Sequence, residues 1–391
     1  MTTSEFDSYR PPEEPRRRRR RDRAGTDTGP GGSSVNRPTG RRRRGSLAPS
    51  TADGGREMAM VPEPEFTSTA SDSAANSYYG RPIVKAPPWD ERVATYLVCG
   101  GIAGGSSLLA FGAQLTGRDL LRRNARISAL AAAGVGSVAL IADLGRPERF
   151  LNMMRTVKLT SPMSLGSWVL AGFSTGAGVA AAAEMDRMTG QALPLGPLRG
   201  MLRAAESPAG GLAALLGAPL AGYTAVLLSD TALPTWNDAK EHLPFVFVSS
   251  ASIAASGLAM ITTPVRETGP ARTLAVLGVV GDVVATRVME SRMDPVAVEP
   301  LETGRPGWLM RWSERLAIAG GVGALLGGRH RVVAALSGAA LVTASAFTRF
   351  GVFYAGKDSA KDPRYTVEPQ KRRLAARRAA GITDDSITTV R

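Results

Sequence analysis

Cysteine and histidine are almost absent from this chain, which has one Cys (Cys99) and two His (His242 and His330) among 391 residues. A single thiol allows no intrachain disulfide and cannot hold an iron–sulfur cluster, which needs about four thiolates. His242 and His330 each begin an apolar segment, and alternating membrane crossings would place those starts on opposite sides, roughly 30 Å apart. They therefore cannot ligate one haem iron. Any electron carrier would have to be a dissociable organic molecule, with metal centres on a partner.

Signatures of other enzyme classes are also lacking. The sequence shows no zinc-ligand spacing, no paired catalytic carboxylates and no Ser/His/Asp constellation. The segment Gly100-Gly101-Ile102-Ala103-Gly104-Gly105 superficially resembles a nucleotide-binding loop, but it lies inside an apolar stretch and follows no strand. We therefore predict neither a metal site nor a nucleotide site in this chain.

Charge is scarce between residues 93 and 350, where Ala, Gly, Leu and Val dominate, and is abundant at both ends of the sequence. Residues 1–88 are polar, rich in Pro, Gly and Ser, and carry arginine runs at 16–21 and 41–44. Such a segment buries too little apolar surface to offset its ordering entropy, so we predict a disordered tail. No apolar stretch accompanies its arginines, which argues against a cleavable signal peptide. We expect this basic tail to meet anionic lipid or water rather than nucleic acid.

Apolar segments predict eight transmembrane helices, since a spanning helix needs about 20 mainly apolar residues. The sixth segment is weaker because it contains Asp282, Arg287 and Glu290, and the seventh is short and rich in glycine. Basic residues flank the segments on both sides, so the charge bias does not fix the orientation. The predicted helices are 93–117, 127–142, 159–183, 207–229, 242–265, 270–290, 312–329 and 332–348.

Small residues and tryptophans add detail to these helices. Glycine pairs spaced by four on the first helix predict one smooth face for close helix packing, although a GC-rich genome would also enrich glycine. Tryptophans near helix ends are typical of membrane interfaces. The glycines are Gly100, Gly101, Gly104 and Gly105, and the tryptophans are Trp89, Trp236, Trp308 and Trp312.

One carboxylate and several arginines gather where the second predicted helix ends. Asp143 is followed by Arg146, Arg149 and Arg155, and Asp143 and Arg146 are close enough in sequence to form an ion pair. Ionisable groups beside or within a membrane are costly and are candidate functional groups by default. The cluster is consistent with a salt bridge that anchors the loop. It is equally consistent with a docking surface or a proton-uptake point beside a bound ligand.

The third predicted helix begins with a recognisable start signal. Ser161 can cap the helix and Pro162 suits its first position. Helix capping accounts for these two residues, whereas it does not account for Ser167 and Trp168, which we expect to face into the bundle.

Two further helices carry polar groups of interest. Pro219 removes a backbone hydrogen bond and can open a local pocket, and Tyr223 follows one turn later. The Tyr223 phenol is either a donor to a ligand carbonyl or a packing group bonded to a neighbouring helix. Asp282 and Glu290 are eight residues apart and therefore lie roughly on one face of their helix. They are either part of a proton pathway or residues that face a hydrated loop.

Several separated motifs occur together and in order in the NrfD/PsrC family, which the chain resembles over about residues 78–370. Members of that family are membrane subunits that carry electrons between quinones and a partner iron–sulfur protein. The most specific motif is Asp143-Leu144-Gly145-Arg146-Pro147, together with Ser161-Pro162-Met163-Ser164. The other matching segments are 79–82, 100–105, 223–228 and 349–360.

The resemblance implies an eight-helix anchor that binds menaquinone or ubiquinone and docks a ferredoxin-like subunit carrying [4Fe-4S] clusters. That subunit in turn serves a molybdopterin oxidoreductase or a multihaem cytochrome, which would select the terminal substrate. In the family, a tyrosine of the fourth helix and polar residues of the first hold the quinone, and Tyr223 matches the tyrosine. The first helix departs from the pattern because it has no Asn or His, only Tyr96, Cys99, Ser106 and Ser107.

We therefore predict an all-α, multi-pass protein of the bacterial cell membrane. Residues 1–88 form a disordered basic tail, residues 89–356 an eight-helix domain, and residues 357–391 a short polar, basic C-terminal tail. The chain would be the anchor subunit of a respiratory oxidoreductase, without a catalytic domain of its own. It would exchange electrons and protons between menaquinone and a partner [4Fe-4S] subunit.

The predicted site centres on Tyr223 as a donor to a quinone carbonyl, with Asp143 and Arg146 near the quinone head. The further predicted contacts are Gly104, Ser164, Ser167, Trp168 and Thr224. The main alternative is an ion- or proton-translocating subunit or a transporter, with Asp143, Asp282 and Glu290 on its pathway. A scaffold that has lost quinone binding is a third interpretation, supported by the departure in the first helix.

Overall fold

The computed structural model describes residues 82–381, apart from residues 147, 156, 159, 193 and 328. These described residues form helices joined by short turns, with no strand among them, so the predicted all-α class is confirmed. Residues 1–81, which include most of the predicted tail and residues 79–81 of the first family motif, lie outside the described residues, as do residues 382–391.

Eight of the helices in the described ranges have at least 20 residues, and each overlaps one predicted segment. Shorter helices lie between or after them. The long helices are α1 (Glu91–Leu115), α2 (Asp119–Asp143), α4 (Pro162–Met188), α5 (Leu198–Ser229), α7 (Leu243–Thr262), α8 (Gly269–Arg292), α10 (Gly304–Leu326) and α11 (Arg331–Ser359). The short helices are α3 (Glu148–Met153), α6 (Pro234–Asp238), α9 (Pro295–Glu302) and α12 (Arg364–Ala379).

Six of the long helices are both long and apolar enough to cross a membrane, namely α1, α2, α4, α5, α7 and α11. The chain is therefore a multi-pass membrane protein. Helices α8 and α10 have 24 and 23 residues, or about 36 and 35 Å at about 1.5 Å per residue, which is also long enough. Their charged side chains lower their hydropathy, so the count of eight spans stays a prediction.

Successive long helices run in opposite directions. At the end where α1 begins, here called the upper end, the Asp90 backbone N–H donates to the Asp143 carboxylate over 3.4 Å, which joins the start of α1 to the end of α2. At the opposite, lower end, the Glu267 carboxylate accepts the backbone N–H groups of Leu120 and Leu121 at 2.8 and 3.0 Å. These contacts fix which loops lie together.

Glycines bring α1 close to two different helices. Gly104 lies against the backbone of Gly217 in α5, and Gly105 lies against Ala251 in α7. The predicted single smooth face is wrong, because neighbouring residues of an α-helix point about 100° apart at about 3.6 residues per turn. Gly100 has open space beside it, so it takes no part in this packing. The close approach expected of small residues is nevertheless present on two sides of α1.

A fully buried arginine, whose role was not predicted from the sequence, joins three helices. Arg349 of α11 donates to the carbonyl oxygen of Leu97 in α1 over 2.8 Å and to that of Phe247 in α7 over 2.7 Å. Its guanidinium also lies 4.6 Å from the centre of the Phe247 ring. Charge-assisted hydrogen bonds of this kind are stronger than neutral ones. Arg349 therefore ties the last long helix to the first.

A buried charge cluster joins α2, α4 and α5 at the lower end. Arg126 and Glu184 are both almost inaccessible, and their side chains are 3.0 Å apart. Glu206 of α5 binds both Arg126 and Arg187. Each charge has an opposite partner, which is the condition under which ionised groups are found buried.

Two predictions about tryptophan are wrong. Trp236 is completely buried, its indole N–H donates to the Val352 carbonyl over 2.7 Å, and it therefore belongs to the core rather than to an interface. Trp308 and Trp312 lie inside α10 rather than before it, because α10 begins at Gly304, eight residues earlier than predicted. Both remain partly exposed near a helix end, as an interfacial position requires.

Candidate functional site

A pocket of about 60 Å³ lies at the upper end, where α1, α2, α4 and α5 meet and α3 adds one side chain. It has four polar side chains among its walls, and the other lining groups are apolar or aromatic. Its lining residues are Trp89, Val93, Tyr96, Leu140, Asp143, Leu144, Met153, Met163, Ser167, Tyr223 and Leu227.

Two phenols meet in this pocket. The hydroxyl groups of Tyr96 in α1 and Tyr223 in α5 are hydrogen-bonded to each other. Tyr96 is buried, whereas Tyr223 is half-buried. Gly166 of α4 lies directly against the Tyr223 ring, and a Cβ atom at Gly166 would overlap that ring. The missing side chain of Gly166 therefore sets the position of the Tyr223 phenol.

Asp143 and Ser167 supply the remaining polar groups. The Asp143 carboxylate accepts the Asp90 backbone N–H over 3.4 Å. The Ser167 hydroxyl donates to the Met163 carbonyl over 2.9 Å, which leaves its oxygen lone pairs to accept a hydrogen bond. The alternative of an ion pair between Asp143 and Arg146 is not supported, because no ion pair joins these two described residues and Arg146 is exposed in the turn after α2.

The other predicted contacts lie away from this pocket. Trp168 is 42% exposed and points outward, so its predicted orientation is wrong; Ser167 faces inward, and the next residue of a helix points about 100° away. Thr224 is buried but does not line the pocket. Ser164 accepts the Lys158 backbone N–H over 3.1 Å and thereby holds the loop before α4. Gly104 packs against α5, two turns below the pocket.

The part played by Tyr96 was not predicted from the sequence. The absence of Asn and His from the first helix suggested a lost contact, whereas the Tyr96 phenol lines the pocket and is hydrogen-bonded to Tyr223. A usable signal was present. Tyr96 lies five residues after the start of α1 and Tyr223 six residues before the end of α5. In antiparallel helices those spacings correspond to nearly the same depth, about 8 Å below the upper end.

The two histidines lie at opposite ends of the bundle. His242 precedes α7 at the upper end, and His330 precedes α11 at the lower end, where the Arg331 guanidinium donates to the Met260 carbonyl near the end of α7. Within the described ranges, no group of three or more His, Cys, Asp or Glu side chains could hold a metal ion.

The acidic residues of the alternative pathway do not lie together. Asp143 lines the upper pocket between α1, α2, α4 and α5. Asp282 and Glu290 line a different cavity, between α8, α9, α10 and α11. No lining residue is common to the two, so the three carboxylates do not border one route.

An all-helical bundle of apolar spans defines a multi-pass membrane protein, and the pocket at its upper end, with polar and aromatic walls, is its candidate site. The family model for polysulphide reductase, NrfD, matches residues 83–280, just over half of the chain. The chain belongs to this family, as its motifs indicated, and is a membrane subunit of the kind found in quinone-linked oxidoreductase complexes. No curated protein matches the sequence significantly. The family match includes every residue that lines the upper pocket.

Proposed function

We propose that this chain is the quinone-reactive membrane subunit of a respiratory complex and exchanges electrons and protons between menaquinone and a partner [4Fe-4S] subunit. The observation that carries the proposal is the pair of hydrogen-bonded phenols, Tyr96 and Tyr223, in a pocket with an otherwise largely apolar lining. Ligand pockets combine such apolar walls with a few convergent polar groups.

The hydrogen-bonding capacity of the phenol pair fits a quinone carbonyl. Two phenols have two O–H groups, and the bond between them uses only one as a donor. The O–H group of the accepting phenol is left to donate to a carbonyl oxygen in the pocket. Because Tyr223 is the residue that matches the quinone-binding tyrosine of the family, we infer that Tyr223 presents this hydrogen and that Tyr96 supports it.

The size of the pocket imposes a condition on binding. At about 60 Å³ the pocket is well below the roughly 300 Å³ at which ligand sites begin. Met153 and Met163 form part of its wall, and methionine side chains are flexible and adaptable. We infer that these two thioethers move aside to admit a ring, while Leu140 and Leu227 remain as apolar walls.

Each residue has a distinct task in the proposed reaction. Menaquinol supplies two electrons and two protons when bound. Tyr223 orients one quinone oxygen, and Asp143, which lies at the upper end of α2, accepts the two protons one after the other and releases each toward the upper end. Trp89 stacks on Trp236, with ring centres 6.1 Å apart, and limits the access of water to the pocket.

The upper end is also the surface on which a cluster-carrying partner would dock. Arg146, Arg149 and Arg155 are exposed there, close to the pocket rim at Asp143. Proteins of this family generally pair with iron–sulfur and molybdopterin oxidoreductase subunits. A ferredoxin-like [4Fe-4S] subunit held at this end would bring its clusters close to the phenol pair, with a molybdopterin enzyme or a multihaem cytochrome beyond it.

The test is to purify the tagged full-length chain from native membranes in mild detergent and to identify both its protein partners and its lipids. We expect an iron–sulfur subunit and bound menaquinone. Tyr223→Phe should lower the menaquinone retained per chain with the partner still present, whereas Tyr365→Phe, the same change in α12 outside the pocket lining, should not. A chain that purifies alone and free of quinone would overturn the proposal in favour of a transporter.

A further inference from the structure

A second cavity, of about 340 Å³, lies between α8, α9, α10 and α11, away from the phenol pocket. Asp282 of α8 lies at its inner end and is only 4% exposed. It precedes Arg292, the last residue of α8, by ten residues, which corresponds to about 15 Å along the helix. In the predicted eight-span arrangement, where the hydrocarbon core of the bilayer is about 30 Å thick, this carboxyl group lies near the middle of the membrane.

The Asp282 carboxyl group has an unused hydrogen-bonding atom. Its Oδ1 is buried and has no hydrogen-bond partner among the described residues. The Arg349 guanidinium directs its hydrogen bonds to the carbonyls of Leu97 and Phe247 instead. An ionised carboxylate is costly at such a depth in a membrane, and the neutral acid avoids that cost. The position therefore favours a group that gains and loses a proton.

The route from Asp282 to the upper end is polar. The cavity is large enough for several water molecules, at about 30 Å³ each, and an ion pair of Arg287 with Glu314, 2.6 Å long, borders it. Helix α7, which also packs against α8, has no ionisable side chain. Helix α1 contacts α8 as well, and its ionisable group in this region is Cys99, whose thiol lies near Arg349. The charged residues along the cavity wall are Arg287 and Glu290 of α8, Glu302 of α9, and Arg311 and Glu314 of α10.

Below Asp282 the packing is apolar. Val279 is buried against Gly321 of α10, and Gly278 lies against Ile253 of α7, so that added methyl groups at either glycine would crowd their neighbours. Water therefore reaches Asp282 from the upper end and not from the lower end.

The oxygen atoms beside Asp282 suit a proton better than a metal cation. Ser313 donates to the Ala344 carbonyl over 2.8 Å and shares a 2.6 Å hydrogen bond with Thr348, so both hydroxyls are already engaged. A bound cation such as Mg²⁺ or Ca²⁺ needs about six oxygen ligands. We propose that Asp282 is a one-sided proton-exchange site: a hydronium ion in the cavity gives its proton to the carboxylate, leaving a carboxylic acid and water, and the reverse step returns the proton to the same side.

Dicyclohexylcarbodiimide is a direct probe of this site. The carboxyl proton moves to a carbodiimide nitrogen, the carboxylate oxygen adds to the carbodiimide carbon, and acyl migration gives a stable N-acylurea. Trypsin digestion places Asp282 and Glu290 on different peptides. Peptide 273–287 has Asp282 as its one side-chain carboxyl group, and peptide 288–292 has Glu290. The protein is the purified full-length chain with whatever subunits accompany it, and the readout is the labelled fraction of each peptide by mass spectrometry.

We expect label on peptide 273–287 at low pH, with a rate that falls as pH rises and the carboxyl group loses its proton. Asp282→Asn should abolish that label, and Glu290→Gln should leave it in place. The wild-type measurement decides the question even when Asp282→Asn does not fold. Absence of label on 273–287 at every pH would overturn the proposal. Saturable protection by Na⁺ at constant ionic strength would also overturn it, since Asp282 would then be a cation site.

Discussion

Two phenol hydroxyls share one hydrogen bond in the upper pocket, and they give the most direct residue-scale prediction. Tyr96→Phe removes the partner that supports Tyr223, so menaquinol-linked turnover of the purified complex should fall. A lost neutral hydrogen bond costs about 0.5–1.5 kcal/mol, which corresponds to a fall of about two- to thirteenfold. The measurement is steady-state turnover with a soluble menaquinol analogue.

The double variant is the sharper comparison. If Tyr96 acts through Tyr223, the loss in Tyr96→Phe with Tyr223→Phe should be smaller than the sum of the two single losses, because contacting residues are not additive. Fully additive losses would show that the two phenols act independently.

A second residue-scale prediction concerns the glycine that positions Tyr223. Gly166→Ala places a methyl group where the Tyr223 ring lies, so the phenol must move, and quinone-linked turnover should fall several-fold. Gly178→Ala on the same helix has open space beside it and serves as the matched control. Turnover and thermal stability are measured for both variants. Equal turnover in the two would show that the Tyr223 position does not matter.

At this scale the sequence identified Tyr223, Asp143 and Ser167, all of which line one pocket. It did not identify Tyr96 as the partner of Tyr223, because pairing across two helices depends on depth and rotation, which a motif does not encode. Trp168 shares a motif with Ser167, yet it points about 100° away from it on the helix. Ser164, one turn before Ser167, accepts the Lys158 backbone N–H and does not line the pocket. Neighbourhood in sequence is a weak guide to which face a residue occupies.

Helix contacts give a stability prediction at the scale of the element. Gly104→Ala places a Cβ atom against the Gly217 backbone of α5. Because this contact is with backbone and not with a flexible side chain, α1 and α5 must move apart to make room for the methyl group. Overpacking of this kind costs about 1–3 kcal/mol, so the melting temperature in detergent should fall. Gly100→Ala lies one turn away with open space beside it, and it should be neutral or stabilising. The opposite order of stability would contradict the contact between α1 and α5.

The buried arginine gives a second prediction for helix contacts. Arg349→Gln shortens the side chain and removes hydrogen bonds to the carbonyls of Leu97 and Phe247. Bonds of this charged type contribute about 1.5–3 kcal/mol each, so thermal stability should drop clearly. Arg315→Gln, an exposed arginine on α10, is the control and should change little. The comparison is made by thermal unfolding in the same detergent.

The sequence predicted the presence of the eight long helices better than it predicted where each of them begins and ends. All eight predicted segments correspond to long helices, because apolar runs of this length have few other solutions in a membrane. The start of α2 was placed eight residues late because Arg122, Arg123 and Arg126 resemble a loop. Arg122 and Arg126 instead bind Glu184 of α4, a partner that only the folded bundle reveals.

The four short helices were not predicted. Each is too short or too polar to show the periodic pattern of apolar residues by which a helix is recognised in a sequence; they are α3, α6, α9 and α12. The last of them lies in the predicted C-terminal tail, where Arg364 and Arg372 bind Glu299 and Asp294 at 3.0 and 2.9 Å. Such contacts with a distant part of the chain decide whether a polar segment folds.

The whole molecule offers a test of the eight-span count. Single cysteines are introduced into a Cys99→Ser background and are treated with a membrane-impermeant thiol reagent. The cysteines of Asp230→Cys and Thr303→Cys should react from one side of the membrane. Those of Arg266→Cys and Arg329→Cys should react from the other side. If α8 and α10 do not cross, Thr303→Cys should react from the same side as Arg266→Cys. The same data give the orientation, which the basic residues at both ends leave undecided.

The hydrogen bond from Arg349 to Leu97 spans 252 residues of sequence, and this separation has a consequence in time. At a synthesis rate of about 5–20 residues per second, the first helix waits about 13–50 s for the arginine that binds it. During that interval the helices of the phenol pocket have already been synthesised, but the Leu97 carbonyl still lacks the Arg349 guanidinium as its hydrogen-bond donor. The nascent chain is therefore most exposed to mispairing and proteolysis before α11 arrives, and a truncation just ahead of Arg349 should yield a rapidly degraded protein.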